Sequence, residues 1–498
     1  MSDTKAESKP NDEKPKKPEE KSVQTRHTVT ISGQEIRYTA TAGTLLLKQE
    51  DESARASVFY VAYTRDDVKD PGSRPITFSF NGGPGSSSVW MHLGMLGPRI
   101  VHMNEDGSAP PPPYRLRDNA HSILDVTDLV FIDPVSTGYS RPAPGEKPDQ
   151  FHGYEQDIES VGEFIRLLTT RLKRWSSPKF LIGESYGTTR AAGLSGHLLE
   201  RHGLAFNGIM LISTILNFQT ARFVVGNDLP YILFLPTYTA TAWYHGRLDE
   251  DLQTQGLRAT LDEMEAFALG EYTLALMKGD RLPEEEKATI RRKLARYTGL
   301  TESYVERANL RIEIFRFTKE LLRERRRTVG RLDSRFVGID RDAAGESFEY
   351  DPSYSVIQGL YTSTLNDYVR RDLRFESDLP YEILANLYMK WDYSKHQNQY
   401  LNVAETLRKA IAQNPFMRIF VANGYYDLAT PYFATQYTFN HLELDPALHG
   451  NISMGFYEAG HMMYIHAPSL VQIKADLAAF IRSATAPEAV DPIPSLPR

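Results

Sequence analysis

The sequence predicts an α/β fold, a mostly parallel sheet flanked by helices with an inserted helical cap. Two observations carry the prediction. Short apolar runs of strand length, such as Asp128-Leu129-Val130-Phe131-Ile132 and Gly208-Ile209-Met210-Leu211-Ile212, alternate with segments whose apolar residues recur every three or four positions. That alternation lapses after about Phe218 and returns with Arg418-Ile419-Phe420-Val421. Strands alternating with helices build a sheet covered on both faces, and an interruption with its own composition reads as an insertion.

Taken in order, Met1 to Lys21 is nearly all Lys, Glu, Asp, Pro and Ser, with nothing to bury. Thr28-Val29-Thr30-Ile31, Glu35-Ile36-Arg37-Tyr38 and Val58-Phe59-Tyr60-Val61 read as antiparallel hairpin strands. Pro75 to Phe80 is a strand that runs into Asn81-Gly82-Gly83-Pro84-Gly85, where the backbone must bend sharply or approach something closely. A Pro-rich loop at Pro110 to Pro113 leads to the buried strand at 128–133. Over 154–175, Ile158, Val161, Ile165, Leu168, Leu172 and Trp175 mark one face of a helix.

Phe180-Leu181-Ile182 is a strand that ends in Gly183-Glu184-Ser185-Tyr186-Gly187, followed at once by a helix-forming stretch. Residues 249–330 are helix-rich and charged and end in Arg323-Glu324-Arg325-Arg326-Arg327, while 331–400 hold many Tyr and Asp without strand rhythm. The chain closes on a strand at Ile452 to Tyr457 and a helix with Leu470, Ile473, Leu477, Phe480 and Ile481 on one side. The organisation expected is a disordered charged tail over 1–26, the first part of the core over 27–217, a helical cap over 218–384, the second part of the core over 385–486 and a C-terminal tail over 487–498.

Composition narrows the function. With 57 basic and 64 acidic side chains the net charge is −7, which offers no electrostatic case for nucleic acid. No apolar stretch approaches the ~18 residues that cross a bilayer, so no membrane role is expected. The chain has no cysteine, which excludes disulfides, a thiol nucleophile and Cys-type zinc sites. No apolar secretory core follows Met1, so a cytoplasmic location is expected, or a periplasmic one if a leader was removed.

A G-x-S-x-G between strand and helix is a nucleophile elbow, a strained turn that lifts a serine hydroxyl above the sheet edge. Ser185 is therefore the nucleophile candidate. A serine hydroxyl needs a base in hydrogen-bond reach, and the base needs an orienting carboxylate. In the α/β-hydrolase fold these follow in the order Ser, acid, His at the ends of strands. Asp427 follows one returning strand and His461 the last one. Of thirteen histidines His466 is the nearest rival, and Asp445 competes with Asp427 from a loop with no strand before it. Two backbone N–H groups must face the tetrahedral oxyanion, one from Tyr186 and one from the Gly82-Gly83 loop. No cofactor and no metal are called for, because His461 and His466 fall on different helical faces.

Asn81-Gly82-Gly83-Pro84-Gly85-Ser86-Ser87, Ile132-Asp133-Pro134-Val135-Ser136-Thr137-Gly138-Tyr139-Ser140, Gly183-Glu184-Ser185-Tyr186-Gly187, Asn423-Gly424-Tyr425-Tyr426-Asp427 and Gly460-His461-Met462 together resemble the serine carboxypeptidases of the carboxypeptidase Y and cathepsin A type, in the order of that family. The resemblance covers about 76–215 and 417–481, and looks more like a bacterial, disulfide-free branch. It implies release of single residues from peptide C-termini through an acyl-enzyme, with Ser185 as nucleophile, His461 as base and Asp427 as its orienter. It further implies an oxyanion hole of Gly83 and Tyr186, and a clamp of Asn81, Gly82 and a protonated Glu184 on the substrate's terminal carboxylate.

Met95 stands where the family has a second Glu, and Ser79 where it often has Trp. Without that second carboxyl, like-charge coupling is not available to raise Glu184. The partner expected is a peptide, and the oligomeric state stays open. An esterase, amidase or acyltransferase on the same fold, or a member that binds peptides or a partner without catalysis, are the alternatives. The arginine run at 323–327 reads first as a solvated helix face, with the cap's underside as the alternative.

Overall fold

The computed structural model describes residues 18–486. Nine strands form the main path of one sheet: β1 (Ser22–Ile31), β2 (Gln34–Lys48), β3 (Ala54–Arg65), β4 (Ile76–Phe80), β5 (Asp128–Ile132), β6 (Lys179–Glu184), β7 (Gly208–Ile212), β8 (Arg418–Gly424) and β9 (Ile452–Tyr457). Their spatial order is β1-β2-β3-β5-β4-β6-β7-β8-β9, and the short strand Arg141–Pro142 adds to β3. Pairings from β1 to β5 are antiparallel and those from β5 onward are parallel.

Every residue of β4, β5, β6 and β7 is buried, as a parallel sheet covered on both faces requires. The two-residue side-chain period divides them between layers. Leu181, Ile209 and Leu211 join helices α1 (Tyr154–Arg171) and α2 (Tyr186–His202) on one face. Ile182, Met210 and Ile212 join the opposite face, which is covered by Pro352–Arg371 and the closing helix Ala467–Thr485.

The insertion has a hydrophobic cluster of its own, built by helices Leu235–Tyr244, Leu257–Phe267 and Glu284–Thr298 and closed against Tyr426, Leu428 and Tyr432 beside the sheet. It is not one layer. Helix Pro352–Arg371 contributes Ile357, Leu360, Tyr361 and Leu365 to the core rather than to that cluster. Asp351 caps it by accepting from Ser353 N, and Pro352 occupies the first helical position.

Two expectations need correction. The charged tail does not extend to residue 26, because Ser22 to Arg26 pair with Arg26 opposite Thr39 and Ser22 opposite Gly43. An edge strand needs only one satisfied side, so its polar residues face water while the backbone bonds to β2. Before it, Glu20 accepts from Leu46 N and pairs with Arg171 at 2.7 Å. The expected helix over 154–175 ends at Arg171, and Leu172 and Trp175 are exposed. The tail residues 1–17 and 487–498 lie outside the described residues. Among the described residues, no helix is long and apolar enough to cross a membrane.

Candidate active site

Ser185 sits between β6 and α2 at φ 60° and ψ −128°, a strained conformation for a residue with a Cβ. Its N–H donates to the carbonyl of Ile212 at 3.0 Å, and its carbonyl accepts from Thr188 N at 2.8 Å. These bonds hold the elbow in place. The glycine loop after β4 lies flush against it, since a Cβ on Gly82 would stand 2.8 Å from both the Glu184 carbonyl and Gly187 N. Gly83 has φ +102°, a backbone state that L side chains rarely adopt. The loop's approach is fixed from below as well: Arg190 donates to the Asn81 carbonyl at 2.6 Å while pairing with buried Asp157 at 2.8 Å.

The turn after β8 presents Asp427, whose Oδ1 accepts from Ala429 N at 2.8 Å and Thr430 N at 3.0 Å. Its Oδ2 accepts from Thr430 Oγ1 at 2.7 Å and faces His461 Nδ1 at 2.8 Å. Because Nδ1 faces a carboxylate it carries the proton, which leaves Nε2 as the basic nitrogen. Burial lowers the His461 pKa, but the charge and hydrogen bond of Asp427 outweigh it, so the imidazole stands above its ordinary value. The His461 backbone is pinned by two bonds, N–H to the Leu332 carbonyl and carbonyl from Ser213 Oγ, each 2.6 Å.

Ser185, His461, Asn81, Gly82, Gly83 and Glu184 line one cleft of about 240 Å³. Tyr186 opens α2 directly after Ser185, and its N–H belongs to a first turn that has no intrahelical acceptor. Glu184 is buried, with Oε1 accepting from Asn81 Nδ2 at 2.8 Å and Oε2 from the Tyr464 hydroxyl at 2.6 Å. Burial raises its carboxyl to about 7, against the lowering effects of His461 and of both hydrogen bonds. Burial therefore does what the second Glu was expected to do. Met95 lies in the apolar core cluster.

The rivals fall elsewhere: His466 Nδ1 bonds Ser469 Oγ at 2.9 Å, and Asp445 accepts from Ala447 N at 2.9 Å. The arginine run does not line the cleft. Arg323 is held by Glu320 and by the carbonyls of Ala343 and Gly345. Three residues were missed by sequence reasoning. Tyr464 could have been sought next to the His461 motif; Arg331 and Asp333 had no motif to mark them, and they reach the site through the insertion.

Residues 35–461 match the family model described as serine carboxypeptidase. Serine carboxypeptidase S10 family member 1 of Dictyostelium discoideum is 24% identical over 232 residues, 45% of this chain and 49% of that protein. Pheromone-processing carboxypeptidase KEX1 of Saccharomyces cerevisiae is 31% identical over 156 residues, 29% of this chain and 20% of that protein. The chain thus spans about half the length of these curated relatives, or less. The crystal structure of a prohormone-processing carboxypeptidase from Saccharomyces cerevisiae superposes with a TM-score of 0.57 at 17% identity, covering 89% of this chain and 91% of that one, which shows the shared fold.

Proposed function

The chain belongs to the serine carboxypeptidase family, and from that premise we propose that it removes single residues from the C-termini of peptides through an acyl-enzyme formed on Ser185. His461 Nε2 takes the proton from Ser185 Oγ as the oxygen bonds to the scissile carbonyl carbon, and Asp427 stabilises the imidazolium that results. The N–H groups of Gly83 and Tyr186 receive the oxyanion. His461 then gives its proton to the leaving amine as the C–N bond breaks, and a water repeats the sequence in reverse to free the acyl group.

One observation favours a carboxypeptidase over an esterase or amidase on this fold: a buried carboxyl, Glu184, beside the nucleophile and raised to about 7. A neutral carboxyl donates a hydrogen bond to a carboxylate, which an ionised one cannot do. With Asn81 and Gly82 it makes a clamp for a free C-terminus, a feature without use on a neutral ester. The test is a mixed peptide library, free-acid and C-terminally amidated, with products read by mass. Stepwise trimming of the free-acid peptides is expected; internal cuts, or ester cleavage with no trimming, would overturn the reading.

A further inference from the structure

Among the residues lining the cleft, Arg331 is the lone lysine or arginine, and the reaction as proposed gives it no part. Its backbone is tied to the triad on two sides. The Arg331 carbonyl accepts from Leu428 N at 3.1 Å, next to Asp427, and the following carbonyl, Leu332, accepts from His461 N at 2.6 Å. Arg331 N donates to Asp351 Oδ1 at 3.1 Å. The root of the side chain is therefore fixed relative to the reacting centre.

The guanidinium itself is unspent. Among the described residues, no carboxylate oxygen lies within 4.0 Å of it, whereas Arg335 in the same segment pairs with Asp333 at 2.7 Å. The acid that shares the cleft wall, Asp351, is engaged by the backbone: Oδ1 also accepts from Ser353 N and Oγ, and Oδ2 from Leu332 N. Glu184 is held by Asn81 and Tyr464. A half-buried guanidinium with free donors is a site for a carboxylate, which it binds through two parallel N–H bonds. Apart from Ser86 the remaining wall is largely apolar, with Trp90, Tyr354, Ile357, Leu384 and Met462. Those surfaces suit a carboxylate carried on a short aliphatic stem.

We propose that Arg331 determines specificity for an acidic leaving residue, pairing with the side-chain carboxylate of a C-terminal Glu or Asp while Glu184 and Asn81 take the terminal one. This rests on the carboxypeptidase reading, because it places the leaving residue in the cavity that holds Glu184.

The test compares peptides identical except for a C-terminal Glu or the near-isosteric Gln, with wild type and Arg331→Met. The Glu-to-Gln ratio of kcat/KM is expected to exceed one in wild type and to fall roughly tenfold in the variant, with Arg331→Lys between them. The same peptides are titrated calorimetrically into Ser185→Ala with and without Arg331→Met, where the preference for Glu should vanish in the double variant. An unchanged ratio in both measurements overturns the proposal. So does an equal loss on Glu, Gln and Leu termini that is absent from amidated peptides, which would assign Arg331 to the terminal carboxylate. Failure of the carboxypeptidase reading is distinct: wild type would release no residue from any peptide, while Glu-selective binding to the Ser185→Ala protein persisted.

Discussion

Tyr464 donates its hydroxyl to Oε2 of Glu184 at 2.6 Å across 280 positions of sequence. This bond favours the ionised carboxylate and so opposes burial, the larger effect, which raises the group to about 7. Tyr464→Phe removes the opposing contribution. The Glu184 carboxyl should then hold its proton to higher pH, and the pH at which KM for free-acid peptides climbs should move upward. Amidated peptides should show no such shift. The lost donor leaves a buried acceptor unsatisfied, so denaturant unfolding should report a stability loss of about 1–3 kcal/mol. A downward move of the KM profile would contradict the assigned direction of this hydrogen bond.

Glu184 and His461 interact, so their titrations belong to the pair. On the proposed mechanism, productive turnover needs the carboxyl protonated and the imidazole neutral. For free-acid peptides kcat/KM should therefore fall on the acid side as His461 gains a proton and on the alkaline side as Glu184 loses one. Glu184→Gln donates at every pH and should abolish the alkaline limb. The acid limb should also shift to lower pH, since the negative charge of Glu184 is among the effects that raise His461. Persistence of the alkaline limb in the variant would assign it to another group.

These residues separate what was readable in the sequence from what was not. Ser185, Asp427 and His461 each follow a strand within a short motif, so local pattern singled them out as candidates, and the structure brings His461 to Asp427 and Ser185 to the same cleft. That the sheet is covered on both faces was legible from the alternation of strands and helices. Tyr464 and Asp333 make their contacts, and Arg331 comes to line the cleft, only when the insertion and the closing segment fold onto the sheet, and no spacing rule encodes those. The extent of β1 was hidden because its polar residues lack an apolar alternation, although its backbone pairs with β2 from Ser22 to Ile31.

Asp427 accepts two backbone N–H groups on Oδ1 and holds His461 with Oδ2. Asp427→Asn keeps the volume but presents an amide that favours the wrong imidazole tautomer. A fall in kcat of roughly 10⁴-fold is expected, measured on a free-acid peptide near neutral pH, with substrate binding to the Ser185→Ala background little changed by the added substitution. Ser185→Ala alone should abolish turnover, and an organophosphonate should label Ser185 in wild type. Labelling at any other serine would remove the nucleophile assignment.

Asp333 ties the insertion to the histidine loop. Its Oδ2 accepts from Gly460 N at 3.1 Å and from Arg335 Nη2 at 2.7 Å, while Oδ1 accepts from Arg335 Nε at 2.9 Å. Both partners of this ion pair are buried, with side chains 3% and 7% exposed. Asp333→Ala removes the acceptor for Gly460 and strands a buried guanidinium, so a loss of about 3–5 kcal/mol in unfolding free energy is expected. Asp333→Asn retains an acceptor for Gly460 N and should keep more of kcat than the alanine variant at comparable instability. Adding Arg335→Met to Asp333→Ala removes the uncompensated charge and should recover stability without recovering kcat. If the double variant regained both together, Asp333 would be acting only through the fold, and its hold on the loop that carries His461 would have no separate part in catalysis.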